Sequence, residues 1–510
     1  MTMLLDDVLD EASLRLLAEC LALKLRRGDI VALTGNLGAG KTTFARALIH
    51  AVLDDAEAEV PSPTFSLIQT YEAKRLTLGH FDFYRLADAT EAQEIGFDEA
   101  VQRGVAIVEW PERAAELIHD DCITLALDTA ATPERRHLRL SANGTTAARA
   151  KRAVEIFRFV KHHANGHARV SYMQGDASFR AYARLHGLPH PMILMDAPRL
   201  PNGGIIRDGR TYSDISQLAE DVRPFVAIAA GLRQAGLSAP QIHAADLDAG
   251  LLLIDDLGPR VFGTEMVSAT PQAVLWRAAV EALIHLRRQG LPTRLPLPDG
   301  TQYTLPRRDR AAFEIEVEVL LDWYWPLTKG APAPDAIRRE FLALWRPAID
   351  RLLALPPGVF LRDYISPNLI WMPQRSGIAR VGVIDFQDAQ AEHWSFDLVS
   401  LLQDARVTVP ATLERALLKH YGQEVARFDA SFDSAAFARA YADFGAQRNT
   451  RIVGLWARML RRDGHAHYLR FLPQTWTYLE RDLESPDLKD LKTWFAQHFP
   501  PDVRRRTDFA

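Results

Sequence analysis

The sequence predicts an α/β domain followed by a two-lobed α+β domain whose second lobe is mostly helical. Three features indicate this order. An apolar strand runs through a glycine-rich loop into a helix near the N-terminus, short strand-like runs follow in the middle, and long amphipathic patterns dominate after about residue 260. A chain of 510 residues also needs more than one core, because single domains usually hold roughly 100 to 200 residues.

The first part of the chain alternates helical patterns with short apolar runs, which favours a mainly parallel sheet with helices around it. A periodic stretch near 12–26 predicts a helix, and Gly28 and Asp29 break it before an apolar strand at 30–34. A helix follows at 41–53. Further strands are predicted at 66–71, 78–83, 105–109, 123–128 and 137–141.

The second part begins after a linker, which we place at 146–155 beside the sequence Asn143-Gly144-Thr145-Thr146. We therefore expect domains at 1–145 and 156–510, with a small lobe over about 156–260 and a large lobe over about 261–510. In the small lobe, strands are predicted at 167–173, 180–185, 192–195 and 250–254, with one long helix at 214–235. In the large lobe, helices are predicted at 273–289, 309–324, 335–353, 412–421, 435–460 and 487–498.

The composition and the cysteine content indicate the class of protein and the compartment in which it is expected. The chain is 48% hydrophobic and 25% charged, as is typical of globular proteins. Cys20 and Cys122 are its only cysteines, too few for a disulfide framework or a multi-cysteine zinc site. The acidic N-terminus lacks the basic and apolar regions of a signal peptide, and no apolar run approaches the roughly 20 residues that span a bilayer. We expect a cytoplasmic protein without a membrane segment.

Charge is distributed unevenly. Residues 1–150 carry 15 Lys and Arg against 24 Asp and Glu, a net of −9. A sequence-independent grip on nucleic acid needs clustered positive charge, so this part is poorly suited to hold RNA by itself. If it acts on RNA, a partner must hold the RNA.

A phosphate-binding loop is predicted between the strand at 30–34 and the following helix. The segment fits G-x-x-x-x-G-K-[ST], whose backbone N–H groups cradle phosphates at a helix N-terminus. We expect Lys41 to reach the β- and γ-phosphates of ATP and Thr42 to ligate Mg²⁺. The predicted nucleotide-binding residues are Gly35, Asn36, Leu37, Gly38, Ala39, Gly40, Lys41, Thr42 and Thr43.

Two acids at strand ends complete this predicted site. Asp82 lies at the end of the apolar strand at 78–83 and is the candidate for the metal side. Glu109 ends the strand at 105–109 and could orient the attacking water or complete the metal site. Trp110 could be a core residue or a stacking surface beside the nucleotide.

These motifs resemble the TsaE family, the small ATPases that act in threonylcarbamoyladenosine synthesis on tRNA. The resemblance rests on four motifs in order over about residues 1–145: 35–44, Pro61-Ser62-Pro63-Thr64-Phe65, His80-Phe81-Asp82-Phe83-Tyr84-Arg85 and Val108-Glu109-Trp110-Pro111-Glu112. It implies a P-loop NTPase fold and slow ATP hydrolysis, with Thr42, Asp82 and Glu109 around Mg²⁺ and Trp110 near the nucleotide. It also implies a switch-like loop at 62–65 and the partner proteins TsaD and TsaB, through which tRNA would be reached indirectly.

A second site is predicted in the large lobe. Asp363 and Asn368 lie five residues apart on a short loop, and Asp385 ends an apolar strand about 17 residues later. This D-x-x-x-x-N and D-F layout is typical of kinase-type phosphoryl transfer, in which a base meets the acceptor hydroxyl while Asn and Asp hold Mg²⁺. Upstream, a loop with Gly175, Ser178, Phe179 and Arg180 could cover the phosphates, and 251–258 could form the hinge between lobes.

This part resembles the aminoglycoside phosphotransferase-like superfamily, with a bilobal protein-kinase-like fold, over about residues 155–480. More narrowly, it is similar to the AmgK group, anomeric kinases of N-acetylmuramate and N-acetylglucosamine in cell-wall recycling. The narrower likeness rests on 175–180, 195–198, 254–258, 363–369, 384–389, 402–406 and 461–464. It implies that Asp363 is the catalytic base, that Asn368 and Asp385 bind Mg²⁺, and that the acceptor is an amino sugar converted to its 1-phosphate.

Two departures from the kinase pattern stand out. The usual small-lobe lysine falls near Met195 and Asp196, and the histidine two residues before the catalytic acid is replaced by Leu361. Phosphate clamping must then come from elsewhere, for which Arg180 and Arg184 are the candidates.

The leading interpretation is thus a fusion of an ATP hydrolase with an ATP-dependent sugar kinase, acting as separable domains. Two alternatives stay open at this point. The second half could be a non-catalytic nucleotide-binding scaffold, or its acceptor could be an aminoglycoside or amino alcohol recognised through Glu314, Glu316 and Glu318. These acids could equally form a solvated helix face. Other residues are expected to serve packing: Trp276, Trp345, Trp371 and Arg448.

Overall fold

The computed structural model describes residues 2–164, 168–173, 180–199 and 203–509. The chain forms two compact units. One consists of Met1–Pro198 and His243–Asp256, and the other of Arg199–Ile242 and Leu257–Ala510.

The N-terminal part of the first unit is a seven-stranded sheet flanked by helices. The strands follow the order β1-β7-β6-β2-β5-β4-β3 across the sheet. Pairing is parallel around β2 and between β4 and β5, while both edges pair antiparallel, so the sheet is mixed rather than mainly parallel. The elements are β1 Thr2–Asp10, α1 Glu11–Ala22, β2 Ile30–Thr34, α2 Lys41–Leu53, β3 Ile68–Glu72, β4 Thr77–Asp82, α3 Ala89–Glu94, α4 Phe97–Arg103, β5 Val105–Glu109, β6 Ile123–Thr129 and β7 Arg135–Ala142.

A continuous helix, α5 (Gly144–His163), connects this sheet to a second one. The predicted linker at 146–155 lies inside α5. One side of this helix is buried, because apolar residues recur at helical spacing through the stretch. The buried residues include Ala150, Ala153, Val154 and Phe157. The proposed domain boundaries themselves stay a prediction.

The second sheet of the first unit is five-stranded, with the order β13-β14-β10-β9-β8. Cross-strand pairs place Val170, Leu185, Ala183, Leu194 and Leu253 on one face. That face belongs to the same buried apolar cluster as the residues of α1, α2 and α5. The strands are β8 Arg169–Met173, β9 Ala181–His186, β10 Met192–Asp196, β13 Ile242–Asp246 and β14 Leu251–Asp255.

The second unit is mostly helical, as expected. Short strands occur in it as β11 Ile205–Arg207, β12 Arg210–Thr211, β15 Arg294–Pro296, β16 Gln302–Thr304, β17 Leu369–Trp371 and β18 Val381–Val383. Its helices are α6 Tyr212–Ser216, α7 Arg223–Gln234, α8 Phe262–Ser268, α9 Gln272–Gln289, α10 Arg310–Val319, α11 Trp325–Lys329, α12 Asp335–Ala354, α13 Ser395–Leu402, α14 Ala411–Ala426, α15 Ser434–Arg461, α16 Leu472–Asp482, α17 Lys489–His498 and α18 Pro501–Arg504.

The prediction of a single helix over 214–235 is wrong. The structure has α6 and α7 separated at 217–222, where Gln217 takes a left-handed conformation with φ of 56°. The backbone N–H of Ala219 donates to Asp388 Oδ1 at 2.7 Å, which fixes the intervening loop against the 385–388 segment. Pro224 then opens α7, since proline fits the first turn of a helix.

In the part of the chain that the structure describes, no helix combines the length and the apolar character needed to cross a membrane.

Candidate functional sites

The glycine-rich loop after β2 is shaped by backbone conformations that only glycine adopts easily. Gly35 has φ of 134°, and a Cβ there would collide with the carbonyl oxygen of Leu127. Gly40, with φ of 105°, precedes the first residue of α2. The loop therefore presents backbone N–H groups at the helix N-terminus, where an anion is favoured.

Lys41 is folded back onto this loop. Its Nζ donates to the carbonyl oxygens of Gly35 at 2.6 Å and Asn36 at 3.1 Å, and lies 3.7 Å from the ring centroid of Trp110. Burial lowers the pKa of Lys41, and nearby carboxylates, first Glu109, oppose that shift. The lysine is thus in the phosphate-binding loop, with Trp110 packed against it.

Asp82 and Glu109 lie side by side because β4 and β5 pair in that register. Thr42 Oγ1 donates to Glu109 Oε2 at 2.9 Å, and Thr64 Oγ1 donates to Asp82 Oδ2 at 2.7 Å. The buried ring of His80 lies 3.0 Å from Glu109 Oε1 through Nε2. The structure therefore brings together Lys41, Thr42, Asp82, Glu109 and Trp110, and joins them to the 62–65 segment through Thr64.

The second site is built on the loop before β17 and the residues after β18. Asn368 Nδ2 donates to the backbone carbonyl of Asp363 at 2.9 Å and to Asp385 Oδ2 at 3.3 Å. Gln387 Nε2 donates to Asp385 Oδ1 at 3.0 Å. Asp385 itself takes a left-handed conformation with φ of 60°. Asp363, Asn368 and Asp385 are thus brought together by the fold.

Asp397 anchors the loop at 361–368, which contains Asp363 and is the predicted catalytic loop. Its carboxylate accepts from the backbone N–H of Leu361 at 2.6 Å and of Arg362 at 3.0 Å. Burial raises the pKa of Asp397 to about 7, although the two N–H donors oppose the shift. Leu361 is buried in the place where related kinases carry histidine. The loop is therefore held through its backbone, and Asp397 anchors it.

An arginine cluster surrounds Glu316. Its carboxylate contacts Arg362 at 2.6 Å, Arg308 at 3.1 Å and Arg451 at 3.7 Å. Burial alone would raise the pKa of Glu316, but Arg362, Arg451 and Arg308 outweigh it and lower the pKa to about 2. Glu318 is likewise buried and pairs with Arg207 at 2.6 Å and Arg338 at 3.0 Å. Glu316 and Glu318 are both paired with arginines of the chain itself, which disfavours a cationic acceptor bound by these two acids and also a solvated position for them.

The predicted small-lobe residues are only partly visible. Gly175, Ser178 and Phe179 lie outside the described residues. Arg180 precedes β9, and Arg184 in β9 donates through Nε to Asp256 Oδ2 at 2.8 Å. Their role as phosphate clamps stays a prediction.

The position that usually carries the small-lobe lysine is also occupied differently. Asp196 ends β10 and binds Lys24 and Arg152, the latter at 2.6 Å. This carboxylate therefore serves an ion pair between α5 and the second sheet.

Several functional residues were missed by sequence reasoning. Asp397 could have been found, because it is an acid inside the apolar run 396–402, where a buried charge needs partners. Gln387 lies inside the motif at 384–389, and its bond to Asp385 is local. Arg451 carries no comparable signal, since it contacts Glu316, which lies 135 positions earlier in the sequence. Trp276, Trp345, Trp371 and Arg448 are buried, as expected of packing residues.

Comparisons with known proteins match each site to a family. Residues 8–138 match the family described as threonylcarbamoyl adenosine biosynthesis protein TsaE, and residues 169–433 match the phosphotransferase enzyme family APH. An N-acetylmuramate/N-acetylglucosamine kinase from Caulobacter vibrioides is 36% identical over 349 residues, covering 67% of this chain and 94% of that protein. A tRNA threonylcarbamoyladenosine biosynthesis protein TsaE from Rickettsia conorii is 40% identical over 118 residues, covering 23% and 67%. The chain belongs to both families.

It is therefore a fusion of a TsaE-like domain with an APH phosphotransferase domain. Both families use ATP, so the fold class and the enzymatic character expected from the sequence are confirmed. Among solved structures, a choline/ethanolamine kinase family protein from Mesorhizobium loti aligns with a TM-score of 0.41 and 14% identity, over 64% of this chain and 92% of that chain.

Proposed function

We propose that the APH domain transfers a phosphoryl group from ATP to the anomeric hydroxyl of N-acetylmuramate or N-acetylglucosamine, giving the sugar 1-phosphate. The observation that carries this proposal is the pair of hydrogen bonds from Asn368 Nδ2, one to the backbone carbonyl of Asp363 and one to the carboxylate of Asp385, because they bring the three residues of a kinase-type site together. The choice of acceptor is supported by the relatives that bear this name at 36% and 32% identity.

In this proposal Asp363 accepts the proton of the sugar hydroxyl and positions its oxygen for attack. Asn368 commits its amide nitrogen to Asp363 and Asp385, so its amide oxygen is the group that can face a cation. Asp397 keeps the loop in place through two backbone N–H groups. The chain's residues thus hold the acceptor and the loop in fixed positions, which is the main contribution that phosphoryl transfer requires of a protein.

A hard cation fits the groups present. The amide oxygen of Asn368 and the carboxylate of Asp385 are oxygen ligands of the kind that Mg²⁺ prefers. Within the described ranges, no three His, Cys, Asp or Glu side chains form a metal site of their own. When bound, Mg²⁺ would neutralise charge on the phosphates.

An acceptor panel tests the proposal. The full chain with ATP and Mg²⁺ is offered N-acetylmuramate, N-acetylglucosamine, ethanolamine and kanamycin, and ATP consumption is compared. We expect turnover with the two amino sugars only. Turnover with ethanolamine or kanamycin alone would replace the acceptor, and consumption with none would favour the scaffold alternative.

We further propose that the TsaE-like domain binds ATP and hydrolyses it slowly as a subunit of a tRNA threonylcarbamoyladenosine complex. The specific observation is the pair of strand-end acids, Asp82 and Glu109, with Thr42 bonded to Glu109. Hydroxyl and carboxylate oxygens suit Mg²⁺ here as well. The net charge of −9 over residues 1–150 supports protein partners similar to TsaD and TsaB, which would reach tRNA in its place.

Binding to a purified TsaD–TsaB pair tests this second proposal. We expect the full chain to associate with the pair in an ATP-dependent way, and Glu109→Gln to weaken that dependence. Absence of any association with ATP present would contradict the assignment to this complex, whatever the kinase activity.

A further inference from the structure

A small cavity with basic walls lies beside the catalytic loop of the APH domain. Its volume is about 90 Å³, and its lining includes Tyr212, Arg362, Arg451 and Arg458. Arg362 is adjacent in sequence to the proposed base, Asp363. Leu218 lines both this cavity and a larger one of about 620 Å³. The small cavity therefore stands at the edge of a space large enough for a sugar.

Three arginines line this cavity, and none of its lining residues is an acid. Glu316 bonds closely to Arg362 and Arg308, while Arg451 stands off at 3.7 Å with its side chain 21% exposed. Arg458 has a buried Nε without a hydrogen-bond partner among the residues described here. A buried N–H without a partner is costly, and a bound acceptor group would satisfy it.

The placement of these arginines relative to the base also fits a substrate group. Burial would lower the pKa of Arg451, but nearby negative charges outweigh it and raise the pKa. These charges are, in order of effect, Glu316, Tyr212, Asp363 and Asp388. Arg451 is therefore close enough to Asp363 to interact with its charge. Arg458 follows seven residues later on α15, two helical turns or about 10.5 Å further along. Arg451 and Arg458 thus lie on the same side of α15, and both line the small cavity.

Volume limits what can enter. At roughly 30 Å³ for each water of liquid volume, a cavity of about 90 Å³ has room for a carboxylate with one or two carbons, but not for a sugar. Of the two proposed acceptors, N-acetylmuramate carries such a group, a lactyl ether with one carboxylate, and N-acetylglucosamine is neutral there. Arginine is the side chain best suited to bind a carboxylate, because its N–H donors match both oxygens.

We propose that Arg451 and Arg458, with Tyr212, form a carboxylate subsite that selects the acidic sugar over the neutral one. The inference rests on the proposed kinase function and adds the source of its acceptor preference. The lactyl carboxylate accepts from the two guanidinium groups, while the anomeric hydroxyl reaches Asp363.

The ratio of kcat/KM for N-acetylmuramate to kcat/KM for N-acetylglucosamine tests the subsite. Arg458→Gln in the full chain should lower this ratio roughly 10- to 100-fold, as expected when a charge-assisted hydrogen bond is lost. Arg458→Lys, which keeps the charge, should recover part of the ratio. The matched control is Arg461→Gln, an exposed arginine on the same helix, which should leave the ratio as it is.

A ratio does not depend on the fraction of folded enzyme, so partial unfolding of the variant cannot imitate the result. An unchanged ratio in Arg458→Gln would overturn the subsite while leaving the kinase assignment in place. If the wild-type chain phosphorylates neither sugar, the proposed function and the subsite fall together.

Discussion

Glu19 in α1 accepts a hydrogen bond at 2.6 Å from the backbone N–H of Val170, the second residue of β8. These residues are 151 positions apart and belong to different sequence families, since 8–138 matches TsaE and 169–433 matches APH. The bond is one of several links across the same junction, including the ion pair of Arg152 with Asp196. The TsaE-like part and the small-lobe sheet of the kinase therefore share one folded unit and one apolar core.

A fragment of residues 151–510 should be unstable on its own. It lacks α1 and α2, which contact β8, and would expose the sheet face that carries Val170, Leu185, Leu194 and Leu253. Each such side chain gains about 1.5 kcal/mol or more from full burial, and a few of them equal the usual stability of about 5–15 kcal/mol. Limited proteolysis should cut this fragment in 168–256 much faster than it cuts the full chain. Equal resistance would contradict the shared core, and independent folding of the two domains would then be correct.

Stability at the junction should depend on pH through Glu19. Burial raises the pKa of Glu19 to about 7 from its ordinary value of 4.5, so the folded chain keeps a proton that the unfolded chain releases. Stability should therefore fall as pH rises from 4.5 to 7 and level off above, by about 3 kcal/mol at most. Glu19→Gln removes the titrating group but keeps an oxygen for Val170. Thermal unfolding of both proteins is measured between pH 5 and 8. The melting temperature of the variant should rise relative to that of the wild type as pH rises. A constant difference across this range would exclude Glu19 as the source of the pH dependence.

The two catalytic motifs were predictable because each is a local pattern. The loop at 35–42 is a short stretch, and Asp363, Asn368 and Asp385 lie within 23 residues of one another. The backbone geometry of such stretches depends mainly on residues close in sequence, so a local motif can reveal it. The helix at 41–53 and the strands at 30–34 and 105–109 were predicted to the residue, because their apolar patterns and glycine breaks are strong.

The junction between the two families could not be predicted in this way. From the sequence alone, Asp196 has no evident role at a position where related kinases carry a lysine. The structure shows that it forms ion pairs with Lys24 and Arg152, which are distant in sequence. The stretch 146–155 is different, because alanine and arginine are strong helix formers and their abundance there already favoured the start of α5 over a linker. The β1 strand was missed, since its partner β7 lies more than a hundred residues away.

Lys41→Ala should remove ATP binding at the TsaE-like site and leave sugar phosphorylation in place. Lys41 is the only cation that the phosphate-binding motif supplies, and its loss removes the point-charge partner of the γ-phosphate. Arg46→Ala on the same helix is a suitable control, because its Nε donates to the carbonyl of Val60 away from the loop. Titration with a fluorescent ATP analogue and a coupled kinase assay measure both effects. Loss of both activities in a folded variant would contradict two independent sites.

Asp397→Asn should lower kcat of the kinase roughly 10- to 100-fold while changing KM for the sugar little. The amide has one acceptor oxygen in place of two, so one of the N–H groups of Leu361 and Arg362 is left without a partner at a cost of about 1–3 kcal/mol. The lost hydrogen bond changes the position of the loop that carries Asp363 and removes no contact with the substrate, so kcat should fall and KM should stay nearly the same. Steady-state kinetics separate the two parameters, and an increase in KM alone would show that Asp397 does not hold the loop.

The central claim is that Asp363 directs phosphoryl transfer to the anomeric hydroxyl of an amino sugar. Phosphorus NMR of the full chain with ATP, Mg²⁺ and N-acetylmuramate or N-acetylglucosamine measures the product directly. The wild type should give a sugar 1-phosphate, and Asp363→Asn should slow its formation by roughly 100-fold or more with ATP binding little changed, because the proton acceptor is lost. A phosphate on another hydroxyl, no sugar phosphate at all, or full activity of Asp363→Asn would contradict the claim.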